Sequence, residues 1–192
     1  MSQPVTVVSG VPRSGTSLMM SLLARAGLPV LCDDGRPPDA SNPRGYFELE
    51  AVRRTRDDPG WLRGAPGHAV KVIHHLLDAL PADYDYRVIL MRRPWPAVVA
   101  SQNRMLERLG KAVMGPDAAR LAAILSAQWE ESRSLLEAGP HFRWMVVDYP
   151  DLVREPRPRL RRLADFLDLP LDFDALVACI DPSLEHGTNS FL

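Results

Sequence analysis

The sequence predicts an α/β fold in which helices flank a central parallel sheet. Two observations lead to this prediction: short segments that are apolar throughout alternate with longer segments whose apolar residues recur at helical spacing. Strands covered on both faces show no alternation of polar and apolar residues, which is typical of parallel sheets. The length of 192 residues fits one domain at roughly 100–200 residues per domain. We therefore expect a single domain over residues 1–192.

Each element follows from its local composition. Val5–Gly10, Arg87–Met91 and Arg143–Tyr149 are apolar and rich in β-branched residues, so we predict buried strands there, with His68–Ile73 as a weaker fourth. Four segments have the apolar spacing of helices: Thr16–Ala26, Pro94–Leu109, Asp117–Ala138 and Pro158–Leu167. The polar, proline-rich stretch Asp33–Arg44 is predicted to be a surface loop.

The composition excludes several classes of protein. The net charge of −1, from 23 Lys and Arg against 24 Asp and Glu, argues against a general nucleic-acid binder, which needs a broad basic face. The hydrophobic fraction of 46% is too high for a disordered chain, and no apolar run approaches the ~20 residues of a membrane helix. The first ten residues lack a secretory signal, and Cys32 and Cys179 are too few for a disulfide framework. We expect a cytoplasmic protein that binds neither nucleic acid nor membrane.

The strongest motif is GVPRSGTS, residues 10–17, between the first predicted strand and the first predicted helix. Two glycines five positions apart let successive N–H groups point inward, and the helix N-terminus adds its dipole, so the turn forms a cradle for a phosphate. The pattern G-x-x-x-x-G-K-[ST] is matched except that Thr16 occupies the lysine position, while Arg13 supplies a cation. A turn that needs glycine for geometry alone is the alternative, but the arginine and hydroxyls favour phosphate binding. The fold class is therefore a P-loop-like three-layer domain.

A second anion site is predicted where the strand Arg87–Met91 runs into a helix. Arg92 and Arg93 follow the strand, Pro94 begins the helix, and Ser101 lies two turns further on. Guanidinium groups at the carboxyl end of a strand can bind a phosphate bidentately. The alternative is a solvated arginine pair in a chain with 21 arginines and only two lysines.

The chain resembles the sulfotransferases that use 3′-phosphoadenosine 5′-phosphosulfate (PAPS). Residues 11–17, V-P-R-S-G-T-S, are similar to their 5′-phosphosulfate loop, P-[KR]-[SA]-G-[ST]-[ST], and residues 87–101 resemble their 3′-phosphate motif of an Arg, a Pro and a later Ser. Arg93 keeps the motif's eight-residue distance to Ser101, whereas Arg92 keeps its two-residue distance to Pro94, so we expect one of the two arginines to share the phosphate with Ser101. Residues 143–170 resemble a third family region, in which Tyr149 would either border the adenine or belong to the core.

The resemblance implies a set of cofactor-binding residues and a catalytic role for Arg13 at the phosphosulfate and its bridging oxygen. The set comprises Gly10, Pro12, Arg13, Ser14, Gly15, Thr16, Ser17, Arg92 or Arg93, Ser101 and Tyr149. It further implies PAPS as donor, 3′-phosphoadenosine 5′-phosphate (PAP) as product, a small hydroxyl or amine compound as acceptor, and no metal.

Two segments offer a catalytic base for the acceptor proton. Lys71 with His74 and His75 resembles the Lys-x-His-Leu-Pro segment of cytosolic sulfotransferases, although the histidines lie three and four residues after the lysine rather than two. Glu48 lies in N-P-R-G-Y-F-E, which resembles the N-P-x-G-Y-x-E segment of bacterial members and matches it without a spacing error. Glu48 is therefore slightly favoured. Lys71 is unusual as a lysine within an apolar strand, and it is expected to assist the leaving group.

Two other functions remain open from the sequence. A P-loop kinase would bind ATP with Mg²⁺ and would need an acid such as Asp148, which ends a strand. A non-catalytic adenine-nucleotide-binding protein is the other alternative, because residues 181–192 contain none of the basic residues with which many family members cover the cofactor. Either the segment that covers the cofactor is reduced in this chain, or a second copy of the chain completes the cover in a homodimer.

Overall fold

The computed structural model describes residues 3–33, 35, 39, 45–110 and 116–181. Five parallel strands form one sheet in the order β2-β3-β1-β4-β5. The strands are β1 (Val5–Ser9), β2 (Val30–Leu31), β3 (Ala69–Lys71), β4 (Tyr86–Arg92) and β5 (Phe142–Asp148). The predicted α/β class with a central parallel sheet is confirmed, and each of the four predicted strands is present.

The described residues also form six α-helices and three 3₁₀ segments, and the last three helices follow β5. The helices are α1 (Thr16–Arg25), α2 (Trp95–Arg108), α3 (Ala118–Ala138), α4 (Tyr149–Arg154), α5 (Pro156–Leu167) and α6 (Phe173–Val177), and the 3₁₀ segments are Glu50–Arg54, Gly60–Gly64 and His74–Ala79. The prediction that the last strand includes Tyr149 is wrong, because Tyr149 begins α4 with Pro150 in its first turn. The predicted surface loop falls largely outside the described residues.

Hydrophobic side chains fill the space on both faces of the sheet, which makes three layers. Val7 and Leu90 belong to one core cluster with α2 and α3, whereas Val8 and Ile89 belong to another with α1, α4 and α5. Successive strand side chains point to opposite faces, so both faces of β1 and β4 are buried. This explains why their sequences show no alternation of polar and apolar residues.

All five strands end at the same edge of the sheet because they are parallel. β1 lies between β3 and β4, with Val8 paired to Lys71 and Ser9 paired to Leu90, and Arg92 at the end of β4 pairs with Asp148. The turn after β1, the end of β3 and the starts of α2 and α4 therefore meet at this edge. In open α/β sheets, the carboxyl ends of the strands are where ligands bind. No helix in the described ranges combines the length and the apolar character needed to cross a membrane.

Candidate active site

The turn between β1 and α1 has a backbone that only glycine adopts readily at its two ends. Gly10 has φ 148° and Gly15 has φ 102°, and Arg13 between them is also left-handed at φ 70°. A Cβ atom on Gly10 would lie 2.9 Å from the carbonyl oxygen of Met91, and one on Gly15 would overlap the ring of Tyr149. The glycines thus permit two close approaches, one to β4 and one to the start of α4.

The glycine turn contains a hydroxyl for which the described part of the protein provides no hydrogen-bond partner. The Ser14 hydroxyl is fully buried and has no hydrogen-bond partner within the described part of the chain. Helix α1 starts directly after Gly15, and no side chain caps its N-terminus there. A helix N-terminus leaves several N–H groups without intrahelical acceptors. A buried hydroxyl beside such an N-terminus is suited to an anionic ligand.

The second predicted anion site converges on the same turn. Arg13 Nε donates to Ser101 Oγ at 3.0 Å, and Arg93 Nη1 lies 3.4 Å from the carbonyl oxygen of Arg13. Arg93 is buried, and its guanidinium carbon lies 4.5 Å from the centre of the Tyr149 ring, which is a cation–π distance. The structure thus brings Arg13, Arg93, Ser101 and Tyr149 together around the glycine turn.

Arg92 points elsewhere, although it is adjacent to Arg93 in the chain. Its side chain is half-exposed and its Nε lies 3.2 Å from the carboxylate of Asp148. Its guanidinium carbon lies 5.9 Å from the ring centre of Trp129 on α3. Arg92 is the last residue of β4, whereas Arg93 follows the strand, and the two side chains have different neighbours. Of the two, only Arg93 contacts the glycine turn.

A lysine-centred cluster lies on the other side of the turn. Lys71 Nζ donates to Ser17 Oγ at 3.1 Å and to the carbonyl oxygen of Tyr46 at 3.0 Å. Its side chain is only 13% exposed and lies 4.0 Å from Glu48 Oε1. Arg53 also approaches Glu48, at 3.5 Å. Lys71 therefore links the end of β3 to the first turn of α1 and to the segment that carries Glu48.

The two histidines have opposite surroundings. His74 is buried, and its Nε2 lies 3.2 Å from Gln128 Oε1 on α3. Burial lowers the pKa of His74, and the neighbouring His75 lowers it further, with ring centres 3.7 Å apart. His75 is exposed beside Arg56 and Asp78, in a cavity of about 220 Å³ between the 3₁₀ segment and α3. Lys71 thus contacts the end of the glycine turn through Ser17 and has Glu48 beside it, whereas His75 lies away from the turn, beside Arg56 and Asp78.

The comparison with protein families identifies the chain. The model of the sulfotransferase family matches residues 45–173, which is more than half of the sequence. The chain belongs to the sulfotransferase family. The matched range includes Glu48, Lys71, Arg93, Ser101 and Tyr149, and it begins after the glycine turn.

Solved structures with the same fold are also sulfotransferases. The sulfotransferase domain of the olefin synthase from Synechococcus PCC 7002 is 20% identical, with a TM-score of 0.59 over 100% of this chain and 90% of that domain. Sulfotransferase STF1 from Mycobacterium tuberculosis H37Rv is 19% identical, with a TM-score of 0.61 over 94% and 71%. Mouse sulfotransferase SULT7A1, solved in complex with PAP, is 12% identical, with a TM-score of 0.53 over 93% and 63%. No curated protein sequence matches this chain.

Sequence reasoning missed two residues that support the site of this sulfotransferase. Gln128 contacts His74, and Trp129 Nε1 donates to the carbonyl oxygen of Met91 at 3.1 Å. Both lie in the middle of α3, and only the fold places them behind the strand ends. A buried tryptophan in an amphipathic helix indicates core packing, and nothing in its sequence context points to the carbonyl of a distant strand.

Proposed function

We propose that this sulfotransferase transfers the sulfuryl group of PAPS to a hydroxyl or amine of a small acceptor. The observation that carries the proposal is the convergence of Arg13, Arg93 and Ser101 on a glycine turn with a buried, unpartnered Ser14 hydroxyl. Two cationic groups beside one turn suit a ligand with two separate anionic groups. We further propose that residues 1–192 form a single domain.

The hydrogen-bond donors and cations around the glycine turn match the two anionic ends of PAPS. The Ser14 hydroxyl and the uncapped N-terminus of α1 offer hydrogen bonds to the 5′-phosphosulfate, beside the cation of Arg13. Arg93 and Ser101 offer a guanidinium and a hydroxyl to the 3′-phosphate. Such charge-assisted hydrogen bonds are roughly twice as strong as neutral ones. When bound, PAPS supplies an activated sulfuryl group and a phosphate leaving group.

Two catalytic roles remain, acceptance of the acceptor's proton and stabilisation of the leaving group, and we assign them to Glu48 and Lys71. Glu48 Oε1 lies 4.0 Å from the ammonium of Lys71, at the end of β3, and a carboxylate can accept the proton of an acceptor hydroxyl or amine. Lys71 also holds a positive charge against Ser17 at the start of α1, where it stabilises negative charge that develops on a phosphate oxygen. Glu48 is therefore the proposed base and Lys71 the proposed electrostatic assistant.

The surroundings of Asp148 argue against the alternative of a P-loop kinase. That alternative needs Asp148 to hold Mg²⁺, but the carboxylate lies 3.2 Å from Arg92 Nε and is balanced by that cation. The loop position that would carry the phosphate-binding lysine is Thr16. The other alternative, a non-catalytic nucleotide-binding protein, is distinguished from a sulfotransferase by an assay of sulfate transfer.

Calorimetric titration tests the proposal. We expect PAP to bind without Mg²⁺ and more tightly than ATP, and we expect Arg13→Ala to weaken that binding. Binding of ATP that requires Mg²⁺, with no binding of PAP, would reject the sulfotransferase donor assignment in favour of a kinase. Transfer of ³⁵S from labelled PAPS to a panel of phenols, alcohols and amines then tests catalysis. Failure of transfer alongside tight PAP binding would favour the non-catalytic protein.

A further inference from the structure

Phe47 has a backbone conformation that bulky side chains rarely adopt. Its φ is 51°, in the left-handed region, where an L-residue with a large side chain is strained. Within the described ranges, the residues other than glycine in this region are Arg13, Phe47 and Asp168. Arg13 lies in the glycine turn, Asp168 caps the C-terminus of α5, and Phe47 directly precedes Glu48. Backbone strain of this kind persists only where the surrounding structure holds it, and it clusters at functional sites.

The backbone before Phe47 is fixed to the end of β3. The carbonyl oxygen of Tyr46 accepts a hydrogen bond from Lys71 Nζ at 3.0 Å. Tyr46 is buried, and its hydroxyl donates to Asp39 Oδ2 at 2.7 Å. The peptide unit that joins Tyr46 to Phe47 is therefore held in one orientation relative to the lysine.

The backbone after Phe47 is fixed to the segment that follows β2. The carbonyl oxygen of Glu48 accepts a hydrogen bond from the amide of Asp33 at 2.9 Å, and the amide of Glu50 donates to the Asp33 carboxylate at 2.6 Å. Asp33 lies two residues after the end of β2. Phe47 thus joins two anchored peptide units, which is the condition under which a strained residue keeps its conformation.

The φ angle of Phe47 determines how Glu48 is turned relative to the Tyr46 carbonyl. This angle is the rotation about the N–Cα bond of Phe47, and Tyr46 and Glu48 lie on opposite sides of that bond. At φ 51° the Tyr46 carbonyl oxygen and the Glu48 carboxylate both approach Lys71 Nζ, at 3.0 Å and 4.0 Å. With the Tyr46 peptide unit held, an extended residue 47 would turn Glu48 by roughly 170°. The carboxylate would then leave its position beside the lysine.

We propose that Phe47 is a positioning residue, whose left-handed backbone holds the Glu48 carboxylate beside Lys71, where it accepts the proton of the acceptor. The inference rests on the proposed function, because it concerns the base of sulfuryl transfer. Phe47 acts through Glu48 and exchanges no proton itself. Its ring is partly buried against the core cluster that contains α1, α4 and α5, and burial of the ring offsets the strain of the backbone.

Two substitutions separate the backbone of Phe47 from its ring. Asparagine tolerates the left-handed region but removes the apolar ring, whereas valine keeps an apolar side chain but is β-branched and disfavours that region. We expect kcat for sulfate transfer to be at least about tenfold lower in Phe47→Val than in Phe47→Asn, because a misplacement of about 1 Å can cost roughly 10²-fold in rate. PAP affinity should differ little between the two variants, since Glu48 is assigned to the acceptor's proton.

Two controls test whether the effect acts through Glu48. In a Glu48→Gln background, the difference in kcat between Phe47→Val and Phe47→Asn should disappear, because the base is already absent. The same two substitutions at Asp168 impose the same backbone choice far along the chain, since Asp168 is exposed and has φ 59°. Asp168→Val should have a lower melting temperature than Asp168→Asn, with no difference in kcat.

The readouts are kcat with a phenol that the wild type sulfates from ³⁵S-labelled PAPS, PAP affinity by calorimetry, melting temperature, and the φ of residue 47 in crystal structures of the variants. If Phe47→Val does not fold, Phe47→Ala replaces it, because alanine lacks the β-branch. If φ stays positive in the folded variant, Phe47→Pro replaces it, because proline fixes φ at about −65°.

Equal kcat in Phe47→Asn and in a variant with negative φ would reject the positioning role while the proposed function stands. A lower kcat in Phe47→Asn than in that variant would also reject it, in favour of ring packing. A difference that persists in the Glu48→Gln background would show that Phe47 does not act through Glu48. Absence of both sulfate transfer and PAP binding in the wild type would instead overturn the proposed function itself.

Discussion

Arg92 and Arg93 show how much one position in a strand changes the use of an arginine. Arg92 is half-exposed and pairs with Asp148, whereas Arg93 is buried and contacts both the glycine turn and the ring of Tyr149. Exposed ion pairs contribute little to stability, typically about 0–1 kcal/mol. A buried arginine next to a ligand site has far more effect on binding because fewer water molecules screen it.

Replacing each arginine by alanine separates their roles. Arg93→Ala should bind PAP roughly 10- to 100-fold more weakly, as expected for the loss of hydrogen bonds to a charged group, and it should no longer prefer PAP to 5′-AMP. Arg92→Ala is the matched control and should retain that preference. Calorimetry with the two nucleotides measures both. If Arg93→Ala discriminates between PAP and 5′-AMP as well as the wild type does, the 3′-phosphate is held elsewhere.

Gly15 is constrained both by its backbone and by its neighbour. Gly15→Ala forces an alanine into φ 102° and places its Cβ against the ring of Tyr149, with Cε2 only 3.1 Å away. Gly27→Ala is the control, because Gly27 has φ 83° and a Cβ there would have no atom within 4 Å apart from those of its own chain neighbours. Each substitution introduces about 1–3 kcal/mol of backbone strain, and only Gly15→Ala adds a steric clash. Urea denaturation should show a larger loss for Gly15→Ala; equal losses would mean that Tyr149 moves aside without cost.

Glu48 is the residue on which the proposed chemistry depends most directly. Glu48→Gln keeps the size of the side chain but removes the base, so sulfate transfer should fall by roughly 10²- to 10⁴-fold, with PAP affinity within a few-fold of the wild type. Glu50→Gln is the matched control, since Glu50 is exposed and lies 3.3 Å from Arg53. Transfer of labelled sulfate to an accepted substrate is the measurement. Near-normal transfer by Glu48→Gln, with loss in His75→Asn, would move the base to the histidine.

The residues of the site were predictable where a motif fixes their spacing. The segment at residues 10–17 indicated an anion site because glycine, arginine and hydroxyl residues coincide between a strand and a helix. The choice between Arg92 and Arg93 was not predictable, because it depends on the residue at which β4 ends and on the direction of each side chain there. The orientations of His74 and His75 depend in the same way on a 3₁₀ segment whose packing against α3 is a tertiary contact.

At the scale of elements, α3 contacts the end of β4 and the 3₁₀ segment that follows β3. Trp129 donates to the carbonyl oxygen of Met91, two residues before Arg93, and the adjacent Gln128 contacts His74. The same Met91 oxygen is the atom that a Cβ on Gly10 would approach at 2.9 Å. Helix α3 therefore holds the Met91 carbonyl against which the glycine turn packs.

Trp129→Phe tests this role. The substitution keeps an aromatic ring in the core but removes the N–H, so the buried Met91 carbonyl loses its donor at a cost of about 1–3 kcal/mol. Trp95→Phe is the control, because Trp95 packs against Trp129 with ring centres 6.4 Å apart and is only partly buried. Urea denaturation measures the free energy of unfolding of both variants. A loss for Trp129→Phe no larger than that for Trp95→Phe would mean that the hydrogen bond contributes nothing.

Element prediction succeeded where burial dictates composition. The buried strands β1 and β4 and the long amphipathic helices were evident from their apolar patterns. Strand β2 was not evident, because it has only two residues and is defined by its pairing with β3 in the folded protein. The 3₁₀ segments were missed for a related reason: each is five or six residues long, too short for a periodic pattern.

At the scale of the whole molecule, a net charge near zero coexists with a local concentration of positive charge. The formal charge is −1, yet Arg13, Arg93 and Lys71 all lie at the carboxyl edge of the sheet. Most other arginines in the described ranges are exposed and many pair with carboxylates on their own surface. The parallel sheet produces this distribution, because it gathers loops from distant parts of the sequence at one edge.

The stability of the whole molecule should fall in mild acid because of His74. Burial lowers the pKa of His74 in the folded state, and the imidazole of His75, with ring centres 3.7 Å apart, lowers it further. An unfolded histidine has a pKa of about 6.5. Below that pH the unfolded chain binds a proton that the folded chain does not, so the free energy of unfolding falls as the pH drops from 6.5 toward the lower folded-state pKa. Above pH 6.5 both states are neutral and this contribution is constant.

Urea denaturation at pH 7.5 and pH 5.5 measures this effect before carboxylates, with pKa values of about 4, begin to take up protons. We expect the wild type to lose stability between the two pH values and His74→Asn to lose less, since asparagine does not titrate. His68→Asn is the comparison variant, because it also removes one histidine, one that is only partly buried and whose Nδ1 lies 3.1 Å from the Pro66 carbonyl oxygen. An equal loss in the wild type and His74→Asn would show that His74 is protonated in the fold as readily as in the unfolded chain, and that the 3₁₀ segment opens to water.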